Sequence, residues 1–503
     1  MLVSQEQYEA LRASVGRDLA LVAPELMVVG TIVLVLALRL FKLFDRVHLS
    51  TVAALPLAGA LWVLVASWHP GFTGTAFGGL LQLDCFSVFI RGFLLAFALL
   101  ALILGKITNV PDAEDSADYL VLLLGGTLGM MVMSSANHLL MIFLGLEMAS
   151  LPSYALAGFL KGQRTGSEAA LKYVLYGSAA SGIALYGISL LMVKLGTASL
   201  PGVALALSEL LNSGSIDAMA AAGLLFLFVG FAFKLSAVPF HFWCPDVFEG
   251  AAAEVGVFLS VASKGAAVAL TARVAMALQA HADWQPTLGV ALMILAALTA
   301  TFGNFAALAQ TNLQRMLAYS TIAHAGYMLM GLATLNAKGV SAVLYYLVAY
   351  LPANLIAFAV VAFLRGTGSV TLESLRGLLS RSPVLAFAMV IALLSLLGLP
   401  PLGGFAGKFQ VFEAVYEAGR HSPGLQMGFN ALLAVGVLNT VLSAGYYLRA
   451  VRLITLEDAQ GDVEMNEPRS AGFFVGALAL TAVTLGVIWN PIERLTTIAA
   501  RSL

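Results

Sequence analysis

Long apolar runs separated by short polar connectors fill nearly the whole chain. A helix needs about 20 apolar residues to cross ~30 Å of hydrocarbon. Such runs occupy residues 20–40, 49–68, 84–105, 117–134, 138–160, 166–195, 219–243, 250–278, 285–309, 315–335, 339–364, 382–417, 425–454 and 471–490. Barrel strands would alternate apolar and polar residues over about ten positions. These runs do not alternate, so the pattern predicts an all-α integral membrane protein of about 14 transmembrane helices. Of the 503 residues 60% are hydrophobic and 11% charged, and mean hydropathy is +0.92, which excludes an ordinary soluble domain. The opening "MLVSQEQYEALRASVGRDLA" has no basic start followed by an apolar core, so it does not read as a cleavable signal peptide.

Charged positions orient the spans, because basic loops stay cytoplasmic. Loops after odd-numbered spans hold thirteen basic residues: Arg39, Lys42, Arg46, Lys106, Lys161, Arg164, Arg315, Arg365, Arg376, Arg381, Arg449, Arg452 and Arg469. The opposite side holds eight: Arg12, Arg17, Lys194, Arg273, Lys338, Arg420, Arg494 and Arg501. This asymmetry places both termini on the non-cytoplasmic side. The other five of the 26 basic residues, Arg91, Lys172, Lys234, Lys264 and Lys408, fall inside spans. A lysine near the bilayer centre costs about 2.5–3.5 kcal/mol and usually faces a bundle interior or an aqueous cavity. Lys234, Lys264 and Lys408 therefore mark a candidate ion path. Arg91 can snorkel towards the end that carries Asp84, and Lys172 follows Glu168 at the spacing of a surface ion pair.

Two spans are broken beside these lysines. In "VGFAFKLSAVPFHFW" (229–243), Pro239 offers no N–H to the carbonyl of Leu235. Residues 382–417 would make one helix of ~54 Å at 1.5 Å per residue, but "GLPPLGG", with Pro400, Pro401, Gly403 and Gly404, divides them into two half-helices. Irregular backbone at membrane depth persists only where protein or an aqueous cavity satisfies it. Pro352 reads as a simple kink. In span five Glu147 lies mid-span, and Pro152 frees the carbonyl of Met148. A buried acid and a buried base set together can exchange states as a proton passes, whereas a static pair would only lock helices. His324 shares a helix face with Ser320 and Tyr327 and can accept and donate near neutral pH. His241 follows the break in span seven by two residues, and with Cys244 it lacks the further ligands of a metal site.

The chain also repeats itself. "SYALAGF" (153–159) matches "GYMLMGL" (326–332) at Tyr, Leu and Gly with an offset of 173, and at that offset "ALKYVL" falls on "VLYYLV". Broken span seven then corresponds to broken span twelve. Spans 4–8 and 9–13 are read as two five-helix repeats, the second inverted because five is odd. The expected divisions are residues 1–116 for helices 1–3, 117–278 and 285–454 for the repeats, and 455–503 for helix 14.

"FKLSAVPFHFWCPDVFEGA", "SVASKGAA", "NLQRMLAYSTIAHAGY" and "LGLPPLGGFAGKFQVFEA" resemble the antiporter-like proton-pumping subunits of respiratory complex I (NADH:quinone oxidoreductase) and the related Mrp-type cation/proton antiporters. The likeness spans roughly residues 20–490. The chain is similar to the branch without the additional C-terminal helices and lateral helix. Another branch is expected to carry a glutamate where Lys408 stands. The resemblance implies that Glu147 and Lys234 form the input half-channel, that Lys264 is the connecting lysine and that Lys408 is the output lysine. It implies a polar relay position at His324 and a further family lysine at Lys172; His241, by its place after the break in span seven, is expected near the cytoplasmic end of the same route. Glu254 departs from the usual small or apolar stretch with proline. It is expected to be a solvated cytoplasmic end, the alternative being an extra input acid.

The resulting expectation is a bacterial inner-membrane subunit that moves protons while redox chemistry occurs elsewhere. Cys85 and Cys244 form no redox motif, and no glycine-rich nucleotide fingerprint is present. No cofactor is therefore expected in this chain; flavin mononucleotide, iron–sulfur clusters and quinone are expected in partner subunits. The implied partners are other complex I membrane subunits, including the other antiporter-like ones, the lipid bilayer and protons. A net charge of -1 without a basic run argues against nucleic acid. An Mrp-type antiporter subunit and a non-pumping structural subunit remain the alternatives.

Overall fold

The computed structural model describes residues 5–41, 47–160, 162–214, 217–281, 283–365, 370–458 and 468–503. Lys42, Arg46 and Lys161 of the charge count lie outside the described residues. Helix α1 (Gln5–Leu21) meets α2 (Ala23–Arg39) at a 73° bend, and α3 (Ser50–Ala66) follows. A short antiparallel hairpin of β1 (Thr73–Ala76) and β2 (Leu81–Asp84) leads into α4 (Cys85–Thr108), whose first turn is held by an Asp84–Ser87 capping box. The first group of spans comprises α5 (Ser116–Ser135), α6 (Leu139–Ala157), α7 (Arg164–Leu195), the short α8 (Leu200–Asn212), α9 (Ala218–Leu235), α10 (Trp243–Gly250) and α11 (Ala253–Val257). From α11 a π-helical stretch, Phe258–Ser263, continues into α12 (Lys264–Gln279). The second group comprises α13 (Val290–Leu308), α14 (Leu313–Leu332), α15 (Ala337–Arg365), α16 (Leu378–Arg381), α17 (Pro383–Leu397), α18 (Gly403–His421) and α19 (Gln426–Thr455), and the chain closes with α20 (Arg469–Val487) and α21 (Asn490–Ala500).

Ten helices among the described residues are long and apolar enough to cross a membrane, or eleven counting the bent α1–α2 pair as one. The expected count of about 14 is larger because it includes α3, only 17 residues long, the divided α17 and α18, and α14. The polar positions of α14 lower its hydropathy, yet nearly all of it is buried against protein rather than lipid. The rod from α11 to α12 is the centre of the molecule, its apolar window wholly buried. Both breaks are present: residues 236–242 part α9 from α10, and 398–402 part α17 from α18. Pro352 lies inside an uninterrupted α15, as a simple kink requires.

Two glycines mark close helix contacts at matching places. A β-carbon on Gly129 of α5 would sit 2.4 Å from the Ala149 nitrogen of α6, and one on Gly303 of α13 would sit 2.6 Å from the Ala323 nitrogen of α14. Each glycine precedes its partner by twenty residues, so the two groups pack their first helix pair in the same register.

Two buried arginines differ from expectation. Arg91 does not snorkel towards Asp84; it is 1% exposed and pairs with Glu25 at 2.5 Å. Asp84 is taken instead by Arg273, which grips both carboxylate oxygens at 2.8 and 2.9 Å and the Ser134 carbonyl at 2.9 Å. Arg273 is thus an interior clamp within α12 rather than a loop charge, since a bidentate pair satisfies a guanidinium far from water.

Candidate functional site

Each broken span leaves one main-chain carbonyl without a helical donor, and a lysine occupies it. Helix α9 stops at Leu235, followed by Ser236 in the left-handed region (φ 55°). Its carbonyl, denied a donor by Pro239, accepts from Lys264 Nζ at 2.9 Å. Helix α17 stops at Leu397, followed by Gly398 at φ 91°, and Pro401 stands four residues beyond. The Leu397 carbonyl accepts from Lys408 Nζ at 2.9 Å. Each ammonium therefore sits at the negative end of a half-helix. The sequence places a free carbonyl beside Lys234; the fold assigns that carbonyl to Lys264.

Lys234, 1% exposed, donates to Ser150 Oγ at 3.0 Å, and Ser150 donates onward to the Leu146 carbonyl at 2.6 Å. Glu147 lies one turn before Ser150 on α6, with one carboxylate oxygen buried and unpartnered. The two charges form no direct ion pair; Lys234, from α9, contacts Ser150, which lies three residues after Glu147 on α6.

Between Lys264 and Lys408 lies a buried web of hydroxyls around His324. The imidazole meets Tyr346 OH at 2.5 Å through Nδ1 and Tyr447 OH at 3.1 Å through Nε2. Tyr447 OH also meets Ser320 Oγ at 2.5 Å. Ser260, one turn before Lys264, contacts Tyr350 OH at 2.8 Å, Thr321 Oγ1 at 3.0 Å and Asn354 Oδ1 at 3.2 Å. On the far side Lys408 Nζ lies 4.5 Å from the centre of the Tyr327 ring. Tyr327 OH in turn receives Asn304 Nδ2 at 3.4 Å, and Asn304 also donates to Asn439 at 3.1 Å. Hydroxyls and imidazole both donate and accept, so a proton can pass within each cluster; none of these bonds joins the His324 cluster to the Ser260 cluster, where the His324 and Tyr350 rings stand 5.0 Å apart.

Three other residues stand apart from this web. Lys172 pairs with Glu168 and with Asp246, each at 2.7 Å, in a part-exposed cluster that Arg315 and Glu249 complete. The expected pairing with Glu168 is present, and Asp246 ties it to the far half of the broken span. His241 lies in the break itself, its ring 4.4 Å from those of Phe242 and Phe302 and its Nδ1 without a partner. Glu254 is not a solvated end: it is 2% exposed, because α4, α10 and α15 close over α11.

Sequence reasoning passed over Tyr346, Tyr350, Tyr447, Ser260 and Asn304. A signal existed in "YYLVAY", where Tyr346 and Tyr350 recur at i,i+4 within an apolar span and so share a face.

The family model described as NADH:quinone oxidoreductase/Mrp antiporter, TM matches residues 136–434, which contain both breaks and Lys172, Lys234, Lys264 and Lys408. The chain is 39% identical over 489 residues to NADH-quinone oxidoreductase subunit N of Anaeromyxobacter sp. (strain Fw109-5), covering 93% of each chain. It is 38% identical over 442 residues to the subunit of the same name in Rhodospirillum rubrum, covering 87% of each. Among solved structures it is similar to a chain of respiratory complex I from Thermus thermophilus, with a TM-score of 0.76, 33% identity and coverage of 94% and 98%. A chain of the Mrp complex from Dietzia shares the fold at a TM-score of 0.79 but only 20% identity. With its multi-pass helical bundle, its two broken spans and these relatives, the chain belongs to the subunit N family of NADH-quinone oxidoreductases, within the antiporter-like transmembrane subunits of complex I and Mrp antiporters.

Proposed function

We propose that the chain carries protons across the bacterial inner membrane as a subunit of NADH:quinone oxidoreductase, driven by redox reactions whose flavin, iron–sulfur and quinone groups belong to partner subunits. The observation that carries this reading is the occupation of both break carbonyls by buried lysines. An amine bound there keeps its hydrogen bond to the carbonyl once the proton leaves, because a neutral amine still donates. Lys234 and Glu147 take up the proton, Lys264 and His324 pass it through the hydroxyl web, and Lys408 releases it. Lys172 and His241 flank the intake. In the same reading the chain forms fourteen spans with two inverted five-helix repeats, and both termini lie outside the cytoplasm.

Glu147 and Lys234 are the test, since Lys234 reaches Ser150 on the turn of α6 that follows Glu147. Lys234→Ala and Glu147→Ala, each in assembled complex, are expected to lower proton pumping strongly and non-additively. Strict additivity of the two effects in a double-mutant cycle would reject the coupling.

Topology has its own test. Cysteines at Ser502 and at Ser4, which lies outside the described residues, should react with an impermeant thiol reagent in spheroplasts with intact membranes. Labelling only after the membrane is opened would reverse the orientation.

A further inference from the structure

Glu254 is a buried acid that the proposed path does not use. Neither of its carboxylate oxygens has a hydrogen-bond partner. It begins the fully buried rod that also carries Ser260 and Lys264. The groups that face it are the Thr108 hydroxyl from the end of α4, Tyr119 from α5 and the Arg365 guanidinium from the end of α15. None of them neutralises it. Thr108 donates back to the carbonyls of Leu104 and Gly105 at 3.0 and 3.4 Å, and Arg365 donates to the Ala251 carbonyl at 3.1 Å without forming an ion pair. The acids of α10 are occupied as well, Asp246 with Lys172 and Arg315, Glu249 with Arg315.

A carboxylate so enclosed is expensive, whereas a carboxylic acid is tolerable. Buried side chains that serve only structure normally meet a partner, and Arg91 and Arg273 do so in this same bundle. We infer that Glu254 is a proton-binding acid that forms a second intake, delivering protons to Lys264 along the rod. This rests on the reading of Lys264 as a proton carrier. Ten residues separate the two groups, roughly 15 Å at 1.5 Å per residue. Ser260 divides that interval, with Tyr350 and Thr321 beside it. One O–H bond breaks at Glu254, one N–H bond forms at Lys264, and the hydroxyls between them exchange protons without net change. Lys234 is not on this route, so two intakes converge on Lys264.

The test uses the whole complex carrying Glu254→Gln. Pumping is expected to fall several-fold with an altered pH profile, and Glu254→Asp is expected to recover much of it. The infrared difference spectrum of parent minus Glu254→Gln complex is expected to contain a protonated-carboxyl C=O band; if the glutamine variant does not assemble, the aspartate variant should shift that band. Absence of the band, or parental pumping and pH profile in Glu254→Gln, overturns the inference. The band reports Glu254 alone, whereas normal pumping in Lys264→Met would overturn the delivery route and the proton-carrying reading together.

Discussion

Assembled complex carrying Lys264→Met is expected to lose proton pumping, and Lys264→Arg is expected to lose it equally. Removing a positioned proton-transfer group typically costs on the order of 10²-fold in rate. Methionine keeps the volume of the side chain while deleting the donor to the Leu235 carbonyl. The unpaired carbonyl costs about 1–3 kcal/mol, but the variant no longer buries an ammonium, a gain of comparable size on insertion scales of about 2.5–3.5 kcal/mol. Assembly should therefore survive. Arginine separates the two roles of this residue, because it restores a donor yet stays protonated throughout the accessible pH range. If Lys264 only capped the end of α9, arginine would preserve pumping. Proton uptake per electron in proteoliposomes, measured for both variants, decides the matter: normal pumping in Lys264→Arg would reduce Lys264 to a cap.

How far the sequence leads can be followed residue by residue. The breaks were legible because proline chemistry is local: Pro239 names Leu235 as the bereft carbonyl before any fold is known. Which lysine fills it was not legible, since Lys264 lies 29 residues away and only packing of α12 on α9 brings it there. Arg91 shows the same limit. Asp84 lies seven residues before it, but Arg273 comes from 189 residues away to claim that acid, and Arg91 turns to Glu25. Glu254 misled because an acid near the start of an apolar run usually meets water; here α4, α10 and α15 pack against α11 and cover it. Ten described helices are long and apolar enough to span on their own, fewer than the fourteen runs read from the sequence, for a related reason. Hydropathy measures exposure to lipid, so a helix such as α14, wrapped by protein, is free to carry Gln314, Ser320 and His324. Local chemistry was readable, while partner choice depended on the fold.

Lys408→Met is expected to give assembled complex with pumping lowered on the order of 10²-fold and coupled electron transfer lowered with it. Snorkelling to the outer interface, the structural alternative for this long side chain, does not fit its placement. Lys408 is 3% exposed, donates to the Leu397 carbonyl and lies over the Tyr327 ring. Gly398 makes this placement available: it caps α17 at φ 91°, where a β-carbon would be disfavoured and would also come within 3.0 Å of Lys408 Cδ. The stem of the lysine thus passes over the one residue of the break with no side chain, and its amine reaches back to the end of the first half-helix. The amine meets both the Tyr327 ring and the end of α17, and in the proposed mechanism it gives up its proton when another charge competes. A second positive charge arriving at Lys264 supplies that competition through an interior where screening is weak. Methionine fills the same channel over Gly398 and stacks on Tyr327 without carrying a proton, so folding is preserved while release fails. Normal pumping per electron at normal turnover in Lys408→Met would remove Lys408 from the path.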